Sequence, residues 1–313
     1  MPTDGVLFRE EADQGFGFQY HVLIGFHHSI TDGHSSMRTC GFLISLLNDV
    51  IEDKPIDDEI QLAEFTNDYI NQALFYDAST FLRENPSVYK DFEKRWFEFL
   101  EYTPLLFKVY PGLDPKKAGT GSVQSFIAKD VFEKFYSKAK SCGITIHSAF
   151  CSAVHAAIID MLVQARCPNE EFDLTSSHDI NLRRYWPGNS EYKFGPHVGL
   201  HRTKHILPRN MKQNFWLHAQ QFHKTFLDEL NDTECIKFIV IMYDYRPNPP
   251  KTIEQFQNCH KKSPYNYRIS NMGDVTKLFR KSDGSEYKSA KIANVRRTTS
   301  MPPGIVSSTF SIQ

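Results

Sequence analysis

Residues 22–33 read VLIGFHHSITDG: an apolar run, Val22-Leu23-Ile24-Gly25-Phe26, followed at once by His27-His28-Ser29-Ile30-Thr31-Asp32-Gly33. Successive side chains of a strand point to opposite faces, so two adjacent histidines at its end are not both core filler. Imidazole is also seldom fully buried. On this reading one of the pair faces a cavity. With an unperturbed pKa of about 6.5 it takes a proton from a hydroxyl, amine or thiol near neutral pH, which is the work of a general base.

The flanks supply the local fold. Val6 to Arg9 and Phe18 to Phe26 read as two strands of a hairpin joined by a polar, glycine-containing stretch. From about Ser35 to Glu52 a helix is expected, with Met37, Cys40, Leu43, Leu47, Val50 and Ile51 on one apolar stripe. Asp32 is placed to cap that helix, and Gly33 suits a sharp turn or a close approach to a ligand.

Further along, residues 53 to 80 pass from an acidic loop into helical pattern, and Ser87 to Glu101 has helical spacing. The small residues Gly119-Thr120-Gly121-Ser122 read as a connector ahead of a strand, Val123 to Ile127. Helices are expected at Lys129 to Ser141, from Thr145 onwards as a buried core helix, and at Asn214 to Leu230. Strands are expected at Phe172 to Leu182, Gly199 to Leu207, Tyr265 to Ser270 and Gly304 to Ile312.

The chain of 313 residues is 41% hydrophobic and long enough for one large domain or two ordinary ones. Its 36 Lys and Arg nearly cancel 37 Asp and Glu, so no global field draws it to nucleic acid or anionic lipid. The six cysteines are scattered without a CxxC pair, and no charged leader or apolar stretch approaching 18 residues stands out. A reduced, cytoplasmic chain without a membrane span is the expectation.

The HHxxxDG pattern between strand and helix resembles the acyltransferases of the chloramphenicol acetyltransferase-like superfamily, which includes alcohol O-acetyltransferases and peptide-synthetase condensation domains. Three later stretches resemble that superfamily in the expected order: VFEKFYSKAKSCGITIHSAFCSAVHAAI at 131–158, DINLRRYWP at 179–187, and ISNMG at 269–273. The DFGWG signature of the plant branch is absent.

That resemblance implies an α/β fold of two subdomains with mixed sheets and flanking helices, a partial N-terminal subdomain over 1–118 and a C-terminal one over 119–313. It implies transfer of an acyl group, first of all acetyl, from acyl-coenzyme A or a carrier-protein-bound thioester to an alcohol or amine. His28 would be the general base and His27 would anchor the loop. Asp32 would form a salt bridge that fixes the turn, and Gly33 would support it. Ser270, Asn271 and Gly273 would lie near the acyl donor, Asn271 as a hydrogen-bond donor and Gly273 leaving room. No bound cofactor is implied beyond the thioester co-substrate. Only 26 residues precede the motif, and the chain stops at Gln313, so both ends are short against typical members. The arginine that often pairs with the motif aspartate is expected in the shortened N-terminal part, which leaves the partner of Asp32 open.

Other readings compete. A truncated, non-catalytic homologue would keep the motif and bind acyl ligands. The types in His27, His28, Asp32 and His34 also suit a zinc-dependent hydrolase, but adjacent strand histidines diverge, so no metal is assigned. His197, His201 and His205 fall in a strand-like stretch where four residues span about 13 Å, and read as scattered surface histidines. Arg183 and Arg184 suit either a coenzyme A phosphate or an exposed strand end. The 25 Phe and 14 Tyr read as core packing rather than an acyl channel. No GxSxG elbow is present, which disfavours a serine hydrolase.

Overall fold

The computed structural model describes residues 5–11, 18–26, 30–56, 67–110, 123, 125–186, 194–245, 264–281, 283–292 and 307–312, with backbone alone for 5–11, 18–19, 67–71 and 307–312. His27 and His28 lie outside the described residues, as do residues 111–122, which hold the 118/119 boundary and the small-residue connector. The chain divides into two compact units. One comprises Met1–Asn67, Arg183–Val198 and Thr276–Ile292, and the other Asp68–Leu182, Gly199–Val275 and Ala293–Gln313.

In the first unit, β1 (Gly5–Glu11) pairs antiparallel with β2 (Phe18–Ile24) in the register Gly5 to Ile24. Helix α1 (Gly33–Ile51) follows. Its span matches the sequence reading, but its buried face does not. Met37, Gly41, Ile44 and Asn48 are buried, whereas Leu43, Leu47, Val50 and Ile51 are exposed. The reason is a backbone that lies against the helix. A Cβ on Gly41 would sit 2.1 Å from the carbonyl oxygen of Leu278, so only glycine admits that approach. Two turns on, Asn48 accepts from the amide of Ala290 at 2.9 Å and donates to its carbonyl at 2.9 Å. Small and polar residues therefore take the inner face because what they meet is peptide, not side chain.

The second unit is larger. Helices α2 (Asn67–Glu84), α3 (Pro86–Glu101), α4 (Leu105–Val109), α5 (Lys129–Ser141) and α6 (Ile146–Gln164) precede β3 (Glu171–Asn181). Then come β4 (Val198–Pro208), α7 (Phe215–Asn231), α8 (Glu234–Asp244), β5 (Tyr267–Asp274) and β6 (Ser307–Ile312). The four strands form one sheet in the order β4-β3-β5-β6, with β3 and β5 parallel and β5 and β6 parallel. The α/β class expected from the sequence is the class observed.

Helix α6 is predominantly apolar with no single polar face, and Ala149, Cys151 and Leu162 are fully buried. It packs against α7, where Ala219 faces Ala149 in a cluster with Ala139 and Ile144. By length and hydropathy alone α6 passes the test for a membrane span, contrary to the expectation that no segment does; half of it is buried inside the protein, as in a core helix. A second core gathers Leu82, Phe92, Trp96, Phe238 and Ile241 from α2, α3 and α8, with Phe92 edge-on to Phe238 at 4.9 Å.

Two further expectations fail. Val123 and residues 125–128 form no strand, and Val123, Phe126 and Ile127 are exposed: a β-prone run without a partner ladder gains nothing from being extended. His197 and His201 are not surface residues but are 1% and 0% exposed. Each is held by a polar partner, the Phe194 carbonyl at 3.2 Å for His197 and Glu229 at 2.8 Å for His201.

Candidate active site

Asp32 is where the histidine motif meets the described structure. Its extended backbone stops the chain just before α1, and its carboxylate accepts from the amide of Ser35 at 2.8 Å, a side-chain helix cap. The other oxygen accepts from Arg183 Nη1 at 2.6 Å and from the amide of His197 at 3.0 Å. Arg183 stands in the 3-10 turn Leu182–Tyr185 directly after β3. Its Nη2 donates to Ser35 Oγ and to the carbonyl of Gly195, both at 3.1 Å, while Ser35 Oγ accepts from the amide of Gly195 at 3.0 Å.

Asp32 is 1% exposed and Arg183 5% exposed. Removing two charges from water is costly, and the cost is recovered only when remaining polar atoms are hydrogen bonded. Here both carboxylate oxygens are bonded by strong, charge-assisted donors. Burial alone would raise the Asp32 pKa, but the guanidinium and the amides of Ser35 and His197 outweigh it and hold the carboxyl below its usual 3.8.

The reading of Arg183 as a phosphate grip or an exposed strand end is thus corrected: it is buried and paired. Arg184 is exposed. The partner of Asp32 comes from later in the chain, 151 residues away. Gly33 begins α1 buried and without a positive φ, so no unusual backbone conformation calls for glycine there. His34 is half-buried in the first turn.

In the second unit, Ser270, Asn271 and Gly273 lie on β5. Ser270 is buried, and Gly273 adopts φ +66°, the left-handed region that glycine enters without penalty. Asn271 stabilises that turn by accepting from the amide of Gly273 at 2.7 Å, and its Nδ2 lies 3.4 Å from Nδ1 of His147. Glycine is thus explained by backbone conformation, and the Asn271 amide is engaged within the protein.

Next to Asn271 lies a cluster that the sequence reading did not single out. His147 and Cys151 are one turn apart on α6, and His178 comes from β3. His147 Nε2 is 3.1 Å from His178 Nδ1, and Cys151 Sγ is 3.5 Å and 3.9 Å from those two atoms. The far nitrogen of His178 is 2.8 Å from Ser176 Oγ, which bonds Thr203 at 2.6 Å. The His-x-x-x-Cys spacing was visible in the sequence, but the apolar helix around it reads as core.

Burial lowers His147 to about 4, with His201 nearby adding to the fall, and pushes His178 well below the usual imidazole range. Burial also raises the Cys151 thiol. These groups are neutral at physiological pH. An imidazole of pKa near 4 is a weak general base at neutral pH.

Comparison with known proteins places the chain. The alcohol acetyltransferase family model matches residues 6–289. Among solved structures, polyketide synthase associated protein 5 from Mycobacterium tuberculosis is 8% identical with a TM-score of 0.55, over 99% of this chain and 69% of that one. The first condensation domain of the CDA synthetase is 13% identical with a TM-score of 0.48, over 88% of this chain and 52% of that one. The first condensation domain of the calcium-dependent antibiotic synthetase in complex with substrate analogue 2a is 11% identical with a TM-score of 0.49, over 99% of this chain and 61% of that one. The chain thus spans about half the length of the first of these condensation-domain structures. No curated protein matches it. The family match runs through the histidine motif, α5, α6 and the Ser270-Asn271-Met272-Gly273 segment, and on that match the chain belongs to the alcohol acetyltransferase family.

Proposed function

We propose that this chain is an acyltransferase that moves an acyl group, acetyl in the first instance, from a thioester to an alcohol or amine, with His28 as general base. Membership of the alcohol acetyltransferase family supports the reaction class. The observation that carries the role of the motif is the buried Asp32–Arg183 pair, which fixes residue 32 four positions after His28. A base must be held where the proton is, and this pair fixes Asp32 without spending a group on substrate.

The chemistry balances without a resident cofactor. The His28 imidazole takes the acceptor's proton as its oxygen or nitrogen attacks the thioester carbonyl. The carbon–sulfur bond then breaks, and the imidazolium returns the proton to the departing thiolate. The donor is acyl-coenzyme A or a carrier-protein-bound acyl chain, and Ser270, Asn271 and Gly273 flank its site. A cytoplasmic location fits such co-substrates.

The test is product detection: the purified chain with acetyl-coenzyme A, or with an acetylated carrier protein, and a panel of small alcohols and amines, analysed by mass spectrometry. An ester or amide formed with at least one acceptor is expected. No product from any pairing would overturn the proposal in favour of a non-catalytic, acyl-binding homologue.

A further inference from the structure

The cluster on α6 and β3 has a property that hydrogen bonding alone does not require: its three donor atoms stand at the corners of a metal site. A tetrahedral zinc with Zn–N of about 2.05 Å and Zn–S of about 2.3 Å sets its ligand atoms about 3.3 Å apart for two nitrogens and about 3.6 Å for nitrogen and sulfur. The observed separations are 3.1 Å between the nitrogens of His147 and His178, and 3.5 Å and 3.9 Å from those to Cys151 Sγ. All three ligand atoms lie within 4.8 Å of one another.

The surroundings fit as well. Ligating imidazoles usually bond an outer partner through the other ring nitrogen. Here Ser176 Oγ is 2.8 Å from Nε2 of His178. The ligands stand on rigid elements, a helix at i and i+4 and the neighbouring strand, so the geometry is set before any ion arrives. Cys151 and His178 are fully buried and His147 is half-buried.

We propose that His147, Cys151 and His178 form a zinc-binding site that clamps α6 to β3, with the fourth position taken by water or a small anionic ligand. Binding replaces the thiol proton of Cys151 with the metal and releases it to solvent, and both imidazoles ligate in their neutral form. The site is independent of the acyl-transfer reading, because it calls on neither His28 nor a thioester.

Cobalt(II) tests it in the full chain. The chain is stripped with a chelator, dialysed and titrated with cobalt, and absorbance is followed. The expected result is about one equivalent bound, with a thiolate-to-cobalt charge-transfer band in the near ultraviolet and the strong visible bands of a tetrahedral centre, both displaced by zinc. Cys151→Ser should abolish the charge-transfer band, and His178→Gln should weaken binding by more than the roughly 10–100-fold that outer-partner changes cost. Cys142→Ser should leave the spectrum unchanged. Wild-type protein that gives no charge-transfer band overturns the site whether or not the variants fold, as does a band that survives in Cys151→Ser.

Discussion

Arg183 donates to Asp32 across 2.6 Å, and the bond joins the turn after β3 to the cap of α1 over 151 residues of sequence. Both side chains are nearly sealed from solvent. Breaking a buried pair strands the surviving charge, at about 3–5 kcal/mol. Asp32→Ala and Arg183→Ala should each lower stability by that order in urea unfolding. The double variant should cost less than the sum, since neither charge is then left alone. Additive losses would show that the pair is not energetically coupled.

The pH response separates the buried carboxylate from the buried imidazole. Asp32 is held below 3.8 in the folded chain, so its contribution is complete above 3.8 and is lost as pH falls through its lower folded value. His155 acts in the same direction but over a higher pH window. Burial, with His205 nearby, lowers it to about 3 from 6.5, so only the unfolded chain takes up the proton between those values. Its contribution is therefore complete above 6.5 and falls away as pH drops from 6.5 towards about 3. His155→Gln keeps a polar group near the Tyr267 hydroxyl, which bonds His155 at 3.0 Å, but cannot titrate. The slope of unfolding free energy against pH from 6.5 to about 4 should shrink by up to about 1.4 kcal/mol per pH unit in that variant. An unchanged slope would show that His155 is not the group responsible.

Gly41 inverts a common rule. Alanine in place of glycine inside a helix ordinarily stabilises by roughly 0.5–1 kcal/mol. At Gly41 the added Cβ would meet the Leu278 carbonyl at 2.1 Å, a backbone atom that cannot rotate away. Gly41→Ala should therefore destabilise by about 1–3 kcal/mol, as overpacking does. A melting temperature at or above that of the parent would contradict the packing of α1.

Gly273 should show the ranking expected of a left-handed residue. At φ +66° a Cβ meets open space, so any penalty comes from the backbone alone. Gly273→Ala should cost about 1–2 kcal/mol, and Gly273→Asn measurably less, because asparagine tolerates that region. Equal costs for the two, read by denaturant unfolding, would point to a steric role instead.

Legibility in the sequence followed the range of the interaction. Helix α5 runs over Lys129–Ser141 and α6 follows Thr145 as the periodicity and the Thr145 cap indicate, because such elements are specified by neighbours three and four residues away. Helix α1 had the expected span and a different buried face, since Gly41 and Asn48 meet the backbone near Leu278 and Ala290 rather than apolar side chains. Helix α8 escaped notice because Cys235 to Met242 is apolar but for Lys237 and shows no polar face. Val123 to Ile127 shows the converse, β propensity with no strand pairing it among the described residues. Within the candidate site, the motif and Ser270-Asn271-Met272-Gly273 stood out by composition. Arg183 as the partner of Asp32, and the meeting of His147, Cys151 and His178, did not. Both are tertiary contacts between segments whose local patterns read as strand end and core helix.

The most direct measurement is the rate of thiol release from acetyl-coenzyme A, with an acceptor alcohol present, for wild type and for His28→Ala. The account expects acceptor-dependent release by wild type and a fall of at least about 100-fold in the variant, the scale of a general base, with its fold intact by circular dichroism. Equal rates for the two proteins would contradict it.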